Sequence, residues 1–187
     1  MPAWNGWYHI IGSTYGNWLP GDGRGWRTRH HREHVEGDYK DPPPSGTHDR
    51  RLAYAKSVMT REPILLSPPQ RELVCRTMIE ALQFHKINVK DLSVSPLHLH
   101  LLAGFALVRR TAHLKQISDP VRHYVGIAKS RSSRALSEAG LTGHGGIWGK
   151  RTKIVPINDR GHFDNVVQYI QDHAQEGAFV WSLQQGR

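Results

Sequence analysis

Between Pro96 and Phe105 the chain reads P-L-H-L-H-L-L-A-G-F, and the alternation of leucine with histidine at its start leaves few local structures open. Successive side chains of a strand point to opposite faces, so Leu97, Leu99 and Leu101 fall on one side while His98 and His100 share the other. The spacing predicts a strand over 97–105, with Pro96 fitting an edge start or a tight connection. Two imidazoles so placed are either the solvent face of a half-exposed strand or a pre-aligned clamp for a metal. A clamp requires at least one further ligand, normally from a different element.

The neighbouring segments supply a sheet for that strand to join. Trp7 to Tyr15 is aromatic and β-branched, which suits a first strand. Ser67, then Pro68 and Gln70, matches an N-cap, a first-turn proline and a capping-box glutamine, and predicts a helix to about His85. A strand over 87–94 follows. Asp119-Pro120 opens a second long helix, with Val121, Tyr124, Ile127, Ala128 and Leu136 recurring along it and Gly140 to end it. Lys129, Arg131 and Arg134 give that helix a cationic side. After the Gly-rich link at 143–146 come a short strand over 153–157 and a helix from about Gly161 to Gln175, capped by Asn158-Asp159. The order β-α-β-β-α-β-α predicts an α+β fold: a ferredoxin-like antiparallel sheet with helices packed on one face.

Charge and length narrow the partners. At 187 residues the chain is expected to be a single domain, and 25 Lys plus Arg against 16 Asp plus Glu leave a formal charge of +9. Nucleic acid is the first partner to consider, although charge alone does not choose between it and an anionic membrane surface. The lone cysteine, Cys75, excludes an internal disulfide framework and a Cys-rich zinc site and favours a reducing cytoplasm, leaving 13 histidines to hold any metal. No apolar run approaches the ~18 residues of a membrane span, and the N-terminus does not read as a secretory signal. Residues 16–60 are expected to form an insertion that contains a long basic, Gly- and Pro-rich surface loop. Its His30, His31 and His34 sit in the stretch R-T-R-H-H-R-E-H, where His30 and His34 have the i, i+4 spacing of a second metal site but no further ligand is evident, and a cationic DNA-contacting arm explains the same residues without a metal.

Tyr169 and His173 lie four apart on the last predicted helix and therefore share a face. Tyr169 is either a core-facing residue or, beside a base or a metal-organised site, a covalent nucleophile.

The segment Pro96-Leu97-His98-Leu99-His100-Leu101-Leu102 resembles the P-x-H-hydrophobic-H-L-L strand of the single-tyrosine HUH transposases. Other segments match in the same order. Trp7-Tyr8-His9-Ile10 is similar to the family's first strand, and Ala128-Lys129-Ser130-Arg131-Ser132-Ser133-Arg134 to its basic helix. Gly146-Ile147-Trp148 with Lys150-Arg151 resembles the approach to the last strand, and Tyr169-Ile170 falls where the catalytic tyrosine belongs. Within the family the subgroup most similar is the REP-associated tyrosine transposases and related bacterial insertion-sequence transposases. The resemblance covers most of the chain outside residues 16–60.

What the resemblance implies is a cytoplasmic DNA transposase acting on single-stranded or hairpin DNA, as a monomer or a homodimer. Tyr169 would attack a phosphodiester, giving a 5′-phosphotyrosine and strand transfer. Mg²⁺ or Mn²⁺ would be held by His98, His100 and His173, the last a departure from the glutamine or asparagine common in the family. Lys129, Arg131, Arg134, Lys150, Arg151, Lys153, Arg109 and Arg110 are the candidate DNA contacts, and Trp148 either stacks an unpaired base or is buried. A catalytically inactive or domesticated hairpin-binding relative would share the fold. A two-histidine phosphoesterase would require paired H-x-[ST] motifs, and no histidine here has Ser or Thr two positions on.

Overall fold

Five strands form one antiparallel sheet in a computed structural model that describes residues 3–23, 44, 46–107, 117, 119–143 and 145–183. In chain order the elements are β1 (Trp7–Thr14), α1 (Asp49–Ser57), α2 (Pro68–Phe84), β2 (Asn88–Val94) and β3 (His98–Gly104). They are followed by α3 (Pro120–Glu138), β4 (Trp148–Pro156), α4 (Arg160–Asp172) and β5 (Phe179–Ser182). The strand order is β4-β1-β3-β2-β5, so the first four strands have the 4-1-3-2 arrangement of a ferredoxin-like sheet, with β5 added at the β2 edge. The chain divides into two compact units, Met1–Thr14 with Leu65–Arg187, and Tyr15–Ile64.

The predicted helix starts are built as their sequences require. The Ser67 N–H donates to Gln70 Oε1 at 2.7 Å with Pro68 in the first turn, and Asp119 accepts from the Arg122 N–H at 3.0 Å. Asp159 accepts from the His162 N–H at 2.8 Å and starts α4. β4 begins at Trp148, earlier than the strand expected over 153–157, because its first half is an edge segment whose exposed Lys150 and Arg151 hide any apolar alternation. β5, four residues pairing with β2, was not expected at all.

Each long helix sits where a split crossover places it. β1 and β2 run parallel with β3 between them, and β3 and β4 run parallel with β1 between them. Right-handed connections then put α2 and α3 together on one face, as expected. There Ile10, Leu99, Leu101 and Ala103 are fully buried, as are Val74, Met78 and Leu82 of α2 and Ala128 and Leu136 of α3. Burying each large aliphatic chain is worth about 1.5–3 kcal/mol. Cys75 lies in this layer, and burial pushes its thiol up to about 12.

The last helix, α4, takes the opposite face of the sheet. Phe163, Val166 and Ile170 pack on Leu102 and Ile157, with Trp4 and Trp7 against them, and the Trp7 and Phe163 rings meet edge to face at 5.0 Å. Leu102 belongs to the same alternating set as His98 and His100, so the core that docks the first half of α4 aims its second half at those imidazoles. Among the described residues no helix is long and apolar enough to cross a membrane.

Within the unit Tyr15–Ile64, the Ile64 N–H donates to the Tyr15 carbonyl at 2.9 Å and closes the segment on itself. α1 escapes sequence detection because only Ala55 of it is buried, which leaves no apolar period to read. Gly21, at φ +93°, has no room for a Cβ, which would meet the Leu52 nitrogen of α1 at 2.3 Å.

Candidate functional site

Three elements meet over the polar half of the α4 face. β3 contributes His98 and His100, β1 contributes His9, and the end of α4 contributes Tyr169 in its last turn and His173 as its C-cap. One ligating atom from each of His98, His100 and His173 lies within 4.8 Å of the other two. The His100 and His173 rings are 4.7 Å apart, and the Tyr169 ring is 4.6 Å from His173 and 5.1 Å from His100. His100 and His173 are buried, whereas Tyr169 is half exposed, so the phenol stands at the rim of the imidazole cluster.

Hydrogen bonds engage the same nitrogen of all three imidazoles. His173 Nδ1 lies 2.7 Å from the carbonyl oxygen of Tyr169, which can only accept, so Nδ1 carries a proton and Nε2 is the nitrogen turned to the site. His98 Nδ1 lies 3.0 Å from Ser95 Oγ, whose own hydroxyl donates to the His98 carbonyl. With the serine proton spent there, His98 Nδ1–H is the donor. His100 Nδ1 lies 3.0 Å from His9 Nε2. With Nδ1 engaged, His100 and His173 turn Nε2 towards a ligand, the arrangement in which metal-binding histidines are normally held, and His98 completes the cluster. The residues therefore fit a metal ion: three imidazoles, oriented by outer partners, at the C-terminal end of a helix, where a cation is favoured.

Protonation states agree with that fit. Burial, followed by the charges of His98, His9 and His173, brings His100 down from 6.5 to about 2. Burial, followed by His162, Lys153 and His173, brings His9 down to about 4. Both rings are neutral near pH 7, as ligation demands.

The candidate DNA contacts divide between the two faces. Thr152 accepts from Lys129 Nζ of α3 at 3.0 Å, so Arg151 and Lys153, one residue to either side, alternate to the α4 face. Lys153 registers with Ile11 of β1 and is close enough to His9 to disfavour its charged form. Lys150 is exposed in the bulged part of β4, and exposed Arg131 and Arg134 stand on α3. Lys129 is buried, with its ammonium also donating to the Gly149 carbonyl at 3.0 Å, so it ties α3 to β4 and does not face solvent. Trp148 is buried as well, its indole N–H donating to Ser132 Oγ at 2.9 Å. Arg109, Arg110, His30, His31 and His34 lie outside the described residues.

Two polar residues of the site face had no signal in the sequence reading. Asp91 of β2 is fully buried, and its Oδ1 accepts from Ser182 Oγ and from Gln171 Nε2 of α4, the latter at 3.2 Å. Ser93 registers with His100. Among the described residues, Asp91 Oδ2 and Ser93 Oγ are buried without a hydrogen-bond partner. The bulge between Val89 and Asp91 shifts the register of this strand, which no local pattern announces.

No protein-family profile and no curated protein sequence matches the chain. Among solved structures, the chain is similar to a REP-associated tyrosine transposase bound to a REP hairpin, at 12% identity and a TM-score of 0.45, over 92% of this chain and 68% of that one. It is also similar to a Deinococcus radiodurans R1 protein named as a transposase, at 15% identity and a TM-score of 0.42, over 89% of this chain and 88% of that one.

Proposed function

We propose that the chain is a DNA transposase that cleaves and rejoins single-stranded or hairpin DNA with Tyr169 as nucleophile. The observation that carries this reading is the half-exposed phenol beside three imidazoles whose ligating atoms lie within 4.8 Å of one another. His98, His100 and His173 would hold a divalent ion, and an all-imidazole set favours a first-row transition ion such as Mn²⁺ over Mg²⁺. Such an ion, when bound, supplies Lewis-acid polarisation of the scissile phosphate and offsets the charge that grows on it.

The chain's own residues do the rest. Tyr169 is held over the site by the apolar first half of α4, and its backbone carbonyl is fixed by the His173 ring, so nucleophile and ligand move as one unit. The phenolic oxygen forms a bond to phosphorus and the bond from phosphorus to the 3′ oxygen breaks. The tyrosine loses a proton and the departing 3′ oxygen gains one. A 3′-OH from another strand reverses the step and joins DNA without a nucleotide cofactor. Arg151 and Lys153 at the sheet edge beside His9 are placed to take the backbone of the strand.

The test is incubation with labelled hairpin-bearing single-stranded DNA from the flanks of its own gene, with Mn²⁺ or Mg²⁺. A slow-migrating band that survives denaturation is expected with the wild type and absent with Tyr169→Phe and His98→Ala. A native gel shift with no covalent product under any metal or flank would leave hairpin binding as the function instead.

A further inference from the structure

We infer that His9 is a positioning residue for the metal centre: from the adjacent strand it accepts the Nδ1 proton of His100 and thereby keeps the His100 Nε2 lone pair aimed at the ion. The inference rests on the metal site proposed above and adds a residue outside its ligand set. The two rings are both buried, with His9 Nε2 and His100 Nδ1 3.0 Å apart and ring centroids 5.2 Å apart.

Proton bookkeeping leaves two arrangements for this neutral pair. In one, His100 Nδ1–H donates to His9 Nε2, and His100 Nε2 is a free lone pair. In the other, His9 Nε2–H donates to His100 Nδ1, so His100 carries its proton on Nε2 and cannot ligate. Metal binding selects the first. His98 and His173 take their Nδ1 partners from within their own segments, a serine three residues before and a carbonyl four residues before. His100 alone of the three relies on a residue from a different strand, 91 positions away in the chain. β1 is thus part of the metal site through a hydrogen bond.

Two variants separate the hydrogen bond from the ring's packing. His9→Phe keeps an aromatic ring beside His100 and Tyr169 but has no acceptor. His9→Gln places Oε1 close to where Nε2 stands and can still accept. Mn²⁺ affinity, measured by titration of the folded full-length chain, is expected to fall about 10–100-fold in His9→Phe and to stay within a few-fold of wild type in His9→Gln. Long-range proton–nitrogen correlation spectra of the wild type, loaded with diamagnetic Zn²⁺, are expected to show His100 protonated on Nδ1.

Wild-type affinity in His9→Phe, equal loss in both variants, or a His100 protonated on Nε2 in the loaded wild type would each overturn the positioning role while leaving the metal site standing. A folded wild type that takes up neither ion would overturn the metal site, and the role of His9 with it.

Discussion

The two faces of the sheet are built on different terms. The α2/α3 face packs apolar side chains along its length, and its buried charge among the described residues, Lys129, is committed to backbone and hydroxyl partners on β4. The α4 face is apolar only where Phe163, Val166 and Ile170 dock. The rest holds buried histidines and a buried aspartate, groups that cost free energy to bury unless each is partnered. The first face holds the fold; the second uses that rigidity to keep imidazoles neutral and a tyrosine at their rim. If this division is right, substitutions on one face cost stability and on the other cost chemistry.

The sharpest contrast pairs Tyr169→Phe with Leu101→Ala. Removing one exposed hydroxyl from Tyr169 is expected to reduce covalent DNA joining to background while shifting unfolding free energy by less than about 0.5 kcal/mol. Leu101 is fully buried on the opposite face, and its truncation should cost about 2–5 kcal/mol in denaturant unfolding with the metal site intact. A strongly destabilised Tyr169→Phe would mean that the tyrosine is a packing residue and that the faces do not divide the labour.

Acid should attack the second face first. His9 and His100 have folded-state values near 4 and 2 against 6.5 when unfolded, so below 6.5 the unfolded chain binds more protons than the folded one. Their contribution is complete above pH 6.5 and is lost as pH falls towards 4. For the metal-free protein this amounts to a loss on the order of 3 kcal/mol for each ring by pH 4, the His100 part still growing towards pH 2. His9→Gln should flatten part of the slope in urea unfolding from pH 7 to 4, and an unchanged slope would place the acid sensitivity elsewhere.

How much of this the sequence carried depends on whether a signal was local. The alternation through His98 and His100, the Ser67 and Asp119 caps and the i, i+4 pair of Tyr169 and His173 are all local, and each element forms where they point. The side of the sheet chosen by α4 was not local. It follows from Leu102 and Ile157 lying in one patch, contributed by segments that are adjacent only once β1 sits between β3 and β4. The same holds for Asp91, whose Gln171 and Ser182 partners come from α4 and β5. A set of charges such as Lys129 and Lys153 reads as one cationic surface in sequence, yet Lys129 is buried against β4 on the α3 side while Lys153 registers with Ile11 beside the histidines.

That last point gives the smallest predicted effect and the finest test of the comparison. Arg151 and Lys153 stand at the sheet edge near the histidines, whereas Arg131 and Arg134 lie on α3 across the sheet, so under the proposed function a strand of DNA bound at Tyr169 would meet the first pair before the second. Removing Arg151 and Lys153 together is expected to weaken hairpin binding several-fold and to lower the slope of log affinity against log salt by between about one and two, as for the loss of two phosphate contacts. Removing Arg131 and Arg134 should change that slope less. Fluorescence anisotropy across a salt series reads both. The reverse ranking would route the DNA over the α2/α3 layer, and the face that holds the fold would then also be the one that holds the substrate.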